Sequence, residues 1–403
     1  MAKVFTALLG ALVLATRAYA QPGANTTGDS DVADGPRILF QADTRLRYEF
    51  AETRDLPDAG EALTLRIRPS VEITPVPEIS IIAEAEGIVS LLPDRLNGFV
   101  TGLQRPGVAD QETLELNRLQ VEFAPSELVS FAVGRQRISI DDERFIGIVD
   151  FRQNQQTYDA VTASLETPDG VQLRGGYIWR VGRVLGLEQA DGVFESDSFF
   201  LNASAPVPLG QVSAFHYNLD LDDRSGMLIR SQTSGVAYRG RVFRGALGLF
   251  WEASYARQNS DGGSPEYARA AISADYRDIS LALTFEELGS DRGIAFQTPL
   301  ATLHRFQGAA DLFLVTPPEG IEDIQARATW RIGSLGSARA TSLAIQYNRF
   351  DAATGGADYG EEWGARFATT FISTRFSAEV AHYRAREFAS DTTRFWLTAS
   401  RKF

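Results

Sequence analysis

The 403-residue sequence contains no cysteine, so neither disulfides nor thiolate metal sites are available to stabilise it. After the first twenty residues it also lacks an apolar run approaching the roughly 20 residues that a membrane-spanning helix needs. It has only three histidines, and none has the spacing to an acid and a nucleophile that would indicate a hydrolase. We therefore expect no cofactor and no metal, and a protein that is either soluble or a membrane barrel.

Positive charge is in short supply, and lysine is almost missing. The formal net charge is −13, which argues against a nucleic-acid partner because such proteins carry basic surfaces. Among the 39 lysine and arginine residues, only Lys3 and Lys402 are lysine. Arginine binds carboxylates through planar, bidentate hydrogen bonds, although codon usage in a GC-rich genome is an equally good explanation for the bias.

The N-terminus has the order of a secretory signal. Lys3 precedes an apolar run over residues 4–15, and Ala18-Tyr19-Ala20 forms a small-residue cleavage site. We predict a signal peptide over residues 1–20, since the run is too short for a membrane anchor. Residues 21–36 are poor in apolar side chains and are predicted to form a disordered periplasmic leader. The remaining chain, 37–403, is predicted to be one barrel domain.

Apolar and polar residues alternate with a period of two, which indicates half-buried β-strands. In one segment Leu63, Leu65 and Ile67 share a face, while Thr64, Arg66 and Arg68 share the other. A preceding segment repeats the pattern, with Leu46, Tyr48 and Phe50 opposite Asp43, Arg45, Arg47 and Glu49. In a membrane barrel the apolar face contacts lipid and the charged face lines a water-filled lumen.

Short and long connections alternate along the chain, as periplasmic turns and extracellular loops do in outer-membrane barrels. Pro and Gly mark the short turns. The segments between them predict an all-β, transmembrane antiparallel barrel of about 18 strands, located in the outer membrane of a Gram-negative bacterium. The predicted turns lie at residues 75–77, 125–126, 168–170, 206–210, Gly240, 277–278, 333–337 and Thr370.

The sequence ends in an alternating strand over residues 393–403 whose last residue is aromatic. This ending resembles the C-terminal signature by which outer-membrane proteins are delivered to the barrel-assembly machinery, and it predicts that Phe403 is recognised there. Arg401 departs from that signature, where an apolar residue is usual. Tyr177, Trp179, Trp251, Tyr255, Trp330, Tyr347 and Trp363 are predicted to form interfacial aromatic girdles.

Two stretches resemble one known family, the outer-membrane channels named for alginate export. They are GRQRISIDDERFIGIVDFRQNQQTYDA (134–160) and FQTPLATLHRFQGAADLFLVTPPEGIED (296–323), the second departing from the family at Ala309-Ala310. The resemblance extends over nearly the whole mature chain. It implies an eighteen-stranded barrel with loops folded partly into the pore, and an arginine-rich constriction for a polyuronate. The family motif places Arg135, Arg144 and Arg152 there, with Asp159 as a counter-charge.

Further arginines lie on strand faces that are predicted to line the lumen: Arg45, Arg47, Arg66, Arg68 and Arg118. A ladder of guanidinium groups would offer successive weak sites to a chain of carboxylates. Glutamates share the same faces, however, so many of these arginines could instead pair with carboxylates across the strands. The sequence leaves both alternatives open.

The function predicted from these observations is passive diffusion of anionic or polar saccharides, such as alginate-type polyuronates, through the lumen of a porin-like channel. The expected partners are outer-membrane lipid and lipopolysaccharide, an anionic saccharide or small anionic solute, and the assembly machinery. We predict no enzyme activity. The alternatives are a general small-solute porin, a soluble periplasmic β protein, and a barrel hydrolase in which Asp141 and Asp142 would supply acid and base.

Overall fold

The computed structural model describes residues 36–92, 105–189, 191–223 and 228–403. The predicted signal peptide, 1–20, and all but the last residue of the predicted leader, 21–36, lie outside the described residues. Within the described ranges, no helix is long and apolar enough to cross a membrane.

The alternating segments form β-strands whose charged face points inward. Arg66 is fully buried, whereas its sequence neighbours Leu65 and Ile67 are half-buried on the other face. Large apolar side chains cover the outside of the sheet, as Leu46, which is 41% exposed, illustrates. This arrangement is the reverse of a soluble sandwich, and an apolar outer surface of this extent is typical of a protein surrounded by lipid.

Twenty strands are present in the described residues, and eighteen of them make up one sheet. The strands are β1 Arg37–Thr53, β2 Gly60–Val76, β3 Ile79–Ser90, β4 Thr113–Ser126, β5 Val129–Gln136, β6 Thr157–Glu166, β7 Gln172–Gly182, β8 Val193–Val207, β9 Gly210–Asp223, β10 Leu228–Arg244, β11 Leu247–Ser260, β12 Glu266–Tyr276, β13 Ile279–Leu288, β14 Ser290–Asp291, β15 Ile294–Ala295, β16 Ile321–Leu335, β17 Ala338–Asp351, β18 Asp358–Phe371, β19 Thr374–Ala385 and β20 Thr392–Lys402.

The sheet closes on itself. Each barrel strand pairs antiparallel with its neighbour along the chain, and β1 pairs with β20 as well as with β2. The closing register runs from Asp43 opposite Lys402 to Thr53 opposite Thr392. β14 and β15 form a separate two-stranded hairpin between β13 and β16. The predicted fold class, an antiparallel barrel of 18 strands with alternating short and long connections, is confirmed.

Three predicted turns are wrong, because the residues lie inside strands. Pro125-Ser126 ends β4, and the turn follows at residues 127–128. Gly240 belongs to β10, where a Cβ atom would lie 2.2 Å from the ring of Trp251. Glycine is required at this position because the ring packs against it, and the turn after β10 lies at residues 245–246. Thr370 lies in β18, and the next turn is Ile372-Ser373, with φ of 44° and 61°. Residues other than Gly, Asn and Asp rarely adopt these angles, so the sequence carries no signal for this turn.

Aromatic side chains proposed as girdles lie on the outer surface. Trp330 is 53% exposed and Trp363 is 56% exposed, and the ring of Trp363 packs against that of Tyr347 with centroids 4.7 Å apart. Tyr177, Trp179 and Tyr255 are also exposed. Amphipathic rings in these positions suit the boundary between lipid and water.

Two long connections fold into the lumen. The first lumen loop, residues 137–156, joins β5 to β6, and the second lumen loop, residues 289–320, joins β13 to β16. Phe145 of the first loop packs against Phe215 of the wall and Phe296 of the second loop, with ring centroids 4.9 and 6.1 Å away. A barrel of this size is too wide for wall side chains alone to fill, and the loops supply the missing interior.

Candidate functional site

The first lumen loop crosses from β5 and β6 to the opposite wall. Asp141 accepts hydrogen bonds from Asn202 on β8 at 2.8 Å and from Arg239 on β10 at 3.1 Å. Asp142 then accepts one from Arg269 on β12 at 2.8 Å. These contacts place the two acids in ion pairs that join the first lumen loop to the wall.

Arg144 joins the first lumen loop to the wall and to the second lumen loop. The side chain is 1% exposed. Its Nε donates to Glu286 on β13 at 2.8 Å, while its terminal nitrogens donate to Thr298 at 3.0 Å and Gln307 at 3.2 Å. Its guanidinium also lies over the ring of Phe306, 4.6 Å from the centroid. Arg144 is therefore part of the loop architecture and does not face the solute.

Arg152 lies at the centre of a second buried ion cluster. It donates to Glu49 on β1 at 3.0 Å and to Asp311 in the second lumen loop at 2.6 Å. Burial by itself would raise the pKa of Asp311, but the adjacent His304 and Arg152 outweigh it and hold that pKa well below its usual value. For Arg152, burial lowers the pKa, and Glu49 and Asp311 more than compensate, so the pKa is raised.

Arg135 and Asp159 form a pair within the barrel wall. The two residues are directly opposite in the β5–β6 register. The guanidinium donates to both carboxylate oxygens, at 2.7 and 2.9 Å, in the bidentate geometry that arginine favours. Asp159, which the resemblance implied as a counter-charge, is the ion-pair partner of Arg135 in the wall.

The arginines of β1 and β2 hold the first lumen loop against the wall. Arg45 donates to the carbonyl oxygen of Asp150 at 2.8 Å. Arg47 lies 3.1 Å from Glu49 and 3.3 Å from Asp110. Arg66 pairs with Asp43 and donates to the carbonyl oxygen of Gln153 at 3.1 Å. These side chains line the lumen in the predicted direction, but most of their donors are already occupied.

The two remaining predicted arginines differ in the kind of partner that they bind. Arg68 donates to Glu86 at 2.7 Å. Among the described residues, Arg118 donates only to the amide oxygen of Gln120, at 3.0 Å. Seven of the eight predicted arginines thus have a carboxylate within 4 Å among the described residues, and Arg118 is the exception. Pairing, the second alternative left open by the sequence, describes most of them.

A cavity of about 900 Å³ lies beneath the loops, towards the barrel end that carries the short turns. Its roof includes Phe151 and His304, whose rings are stacked on each other. Nine arginine or lysine side chains line it, against six aspartate or glutamate side chains. The basic residues are Arg45, Arg47, Arg68, Arg118, Arg137, Arg305, Arg366, Arg375 and Lys402.

Sequence reasoning missed several of these cavity residues. Arg366 and Arg375 alternate with outward-facing residues on β18 and β19, so strand periodicity could have identified them. Arg305 belongs to the second lumen loop, and only the folding of that loop brings it to the cavity. Four of the nine have no carboxylate within 4 Å in the described part of the chain: Arg118, Arg305, Arg375 and Lys402. They are cations that a solute anion could contact.

The three histidines have different polar partners. His304 contacts Asp311 at 2.7 Å inside the lumen. His216 contacts Ser234 at 2.8 Å and His382 contacts Thr393 at 2.9 Å, and within the described ranges neither ring has a carboxylate within 4 Å that could orient it. Among the described residues, no group of three or more His, Asp or Glu side chains could hold a metal ion.

Comparisons with known proteins give matches at the level of family and fold. Residues 37–179 match the family model described as alginate export. The match includes the stretch 134–160 and does not reach the stretch 296–323. No curated protein sequence matches the chain.

The fold is shared with solved channels of Pseudomonas aeruginosa. OccK9 (OpdG) is 15% identical, with a TM-score of 0.71 over 91% of this chain and 98% of that one. OpdQ is also 15% identical, with a TM-score of 0.71 over 91% and 97% of the two chains. OpdK, solved with vanillate, is 15% identical, with a TM-score of 0.68 over 90% and 98%. The resemblance to the alginate-export family is thus confirmed over residues 37–179, on a barrel that has the fold of outer-membrane channels.

Proposed function

We propose that this chain is an outer-membrane channel of a Gram-negative bacterium through which anionic or polar saccharides, alginate-type polyuronates among them, diffuse passively. The observation that carries the proposal is the charge of the cavity beneath the loops. Positive side chains outnumber negative ones there by nine to six, although the whole chain has a net charge of −13. Positive charge is concentrated where a solute must pass, which favours anions in the lumen.

The cavity cations that have no carboxylate partner are the side chains available to bind an anionic solute. Arg118 lies on β4, Arg375 on β19 and Arg305 in the roof. Each can donate two hydrogen bonds to a carboxylate without first breaking an ion pair. Several separate, weak contacts allow a solute to enter and also to leave. The arginines named from the family motif, Arg135, Arg144 and Arg152, act in this proposal by shaping the lumen.

The first test is the reversal potential of the refolded protein in a planar bilayer across a KCl gradient. We expect a potential of the sign that indicates anion selectivity. Block of the KCl current by uronate oligomers, with less block by neutral oligosaccharides of equal length, would identify the solute class. Cation selectivity would contradict the proposal, because it would mean that the lumen acids dominate the permeation path.

A small aromatic carboxylate is a second candidate solute, since one channel of the same fold was solved with vanillate. The cavity offers little ring surface for such a molecule. The ring of Trp396 is 2% exposed and packs against Phe151 and His304. Charge is therefore the main means of recognition, and vanillate should block more weakly than a multivalent uronate.

The proposal includes two partners outside the lumen. Outer-membrane lipid and lipopolysaccharide would surround the apolar outer face and its aromatic residues. The barrel-assembly machinery would recognise Phe403, whose backbone continues the pairing with β1 through Ala42 at 2.8 and 3.1 Å. The departing residue Arg401 places its guanidinium over the Phe403 ring, 4.7 Å from the centroid. A Phe403→Ala change should lower the amount of barrel assembled in cells, while refolding in detergent is retained.

A further inference from the structure

The two lumen loops are joined to each other along their length. Ile146 and Leu300 form a parallel β-bridge, and the amide of Gly147 donates to the carbonyl oxygen of Leu300 at 2.9 Å. The amide of Thr302 donates to the carbonyl oxygen of Glu143 at 3.0 Å, and the Thr302 hydroxyl donates to the Glu143 carboxylate. Backbone pairing of this kind is normally found within one structural unit.

Buried side chains add to this backbone connection. Arg144 of the first loop donates to Thr298 and Gln307 of the second. Arg152 of the first loop pairs with Asp311 of the second. If the loops separated, Arg144 would lose two buried hydrogen-bond acceptors, and Arg152 and Asp311 would each lose a buried partner of opposite charge, which is unfavourable.

Three glutamates of the barrel wall bind the loops through hydrogen bonds and ion pairs, and each is almost fully buried. Glu49 on β1 accepts from Arg152 at 3.0 Å. Glu286 on β13 accepts from Arg144 at 2.8 Å. Glu362 on β18 accepts from the amides of Ala309 at 2.6 Å and Ala310 at 3.0 Å. Their exposed fractions are 0%, 3% and 2%, so no solute reaches them.

The contact with Glu362 also explains an unusual feature of the sequence. Gly308 has a φ of 80°, and a Cβ atom there would lie 2.5 Å from a carboxylate oxygen of Glu362. Ala309 and Ala310 are 7% and 0% exposed. The segment wraps closely around the carboxylate, as backbone amides do around bound anions. A bulky aromatic residue at Ala309 or Ala310 has no room, so the two alanines belong to the anchor.

We propose that the two lumen loops form a single plug, and that Glu49, Glu286 and Glu362 are positioning residues that set its place in the lumen. Because the loops are joined, loss of an anchor under one loop displaces both. The size of the remaining passage then depends on three wall carboxylates that never touch the solute. This inference rests on the chain being a channel and is independent of which ion the channel prefers.

The test measures single-channel KCl conductance of three variants: Glu49→Gln, Glu286→Gln and Glu362→Gln. Each replacement keeps the side-chain size but removes the charge. We expect each variant to open to a larger conductance than the wild-type protein, and Glu49→Gln and Glu362→Gln to reach the same new level although they anchor different loops. Asp220→Asn is the matched control, because it removes a carboxylate from the exposed wall pair with Arg230, which involves neither lumen loop, and its conductance should stay at the wild-type value.

A loop-to-loop disulfide distinguishes one plug from two independent loops. The sequence has no cysteine, so an Ile146→Cys/Leu300→Cys pair forms the only possible disulfide, between bridge partners whose spacing suits one. In the Glu362→Gln background, oxidation should leave the enlarged conductance unchanged, because both loops have already moved together. A return to the wild-type level on oxidation would mean that the second loop had moved alone, which overturns the proposal.

Folding is checked separately on a denaturing gel, where a folded barrel that has not been heated migrates differently from the heated, unfolded chain. Conductance equal to wild type in all three folded glutamine variants would also overturn the proposal. Glu362→Asp retains the charge and should give a conductance closer to wild type than Glu362→Gln does. The proposed anion selectivity is judged by the reversal potential, so a cation-selective wild-type channel would refute that function and leave the conductance test of the plug intact.

Discussion

Arg152 lies 2.6 Å from Asp311, and the two residues are 159 positions apart in the sequence. Each belongs to a different loop, and both loops enter the lumen. The pair shows that the predicted arginines mainly form a framework of ion pairs that holds the lumen loops in place, and that few of them are free to bind a chain of carboxylates. The cations left for a solute line the cavity under that framework, at Arg118, Arg375 and Lys402 in its wall and at Arg305 in its roof.

Replacing Arg144 with Ala should strongly destabilise the barrel. The change leaves Glu286 buried without its guanidinium partner, and removing one partner of a buried pair costs about 3 to 5 kcal/mol. The free energy of unfolding in urea, measured in detergent or lipid, checks this. Arg230→Ala is the control, since its pair with Asp220 is exposed and such pairs are worth about 0 to 1 kcal/mol. Equal losses in the two variants would contradict the expectation.

Asp311→Asn should change how stability depends on acid. The pKa of Asp311 is held below its usual value, so its charge stabilises the folded state above the unfolded pKa of about 3.9, and this contribution is lost as pH falls through the lower folded pKa. The variant should therefore be less stable than wild type at pH 7, and the difference should shrink as the pH falls below about 4. Thermal unfolding at several pH values measures this, and a difference independent of pH would refute it.

Gly240→Ala should destabilise the lipid-facing side of β10. The added Cβ would lie 2.2 Å from the Trp251 ring, and overpacking of this kind costs about 1 to 3 kcal/mol. Unfolding free energy and tryptophan fluorescence report the loss and the displaced ring. Gly364→Ala is the control, because the nearest atoms to its Cβ lie 3.7 and 3.8 Å away, so it should be tolerated.

Arg305→Gln and Arg375→Gln should each reduce anion selectivity. A unit charge about 7 Å from a permeating ion contributes roughly 0.6 kcal/mol in water, which is about a threefold change in partitioning. The lost charge attracts anions and repels cations equally, so the ratio of anion to cation permeability, obtained from reversal potentials, should fall by about the square of this factor, roughly sevenfold to ninefold, at low salt and by less at high salt. Arg230→Gln, at the barrel end that carries the long loops, should leave the ratio unchanged. A similar fall in that control would place selectivity outside the cavity.

The sequence by itself determined the barrel. Strand periodicity identifies which side chains face lipid and which face the lumen, as Leu65 and Arg66 show, because successive residues of a strand point to opposite sides. Alternating connection lengths give the strand number and orientation. The exceptions are local. Gly240 is a glycine because the Trp251 ring on the paired strand leaves no room for a Cβ atom. Ile372-Ser373 adopts turn angles that its residue types do not favour.

The tertiary structure alone decided the partners of the lumen arginines. Arg144 meets Glu286 and Arg152 meets Glu49, more than one hundred residues away, only because a loop crosses the lumen. Arg305 reaches the cavity in the same way. Periodicity fixes the face on which a strand residue lies, but it contains no information about which loop will fold over that face. Charge pairing in the interior depends on that folding, and so does the choice of cations that remain free for a solute.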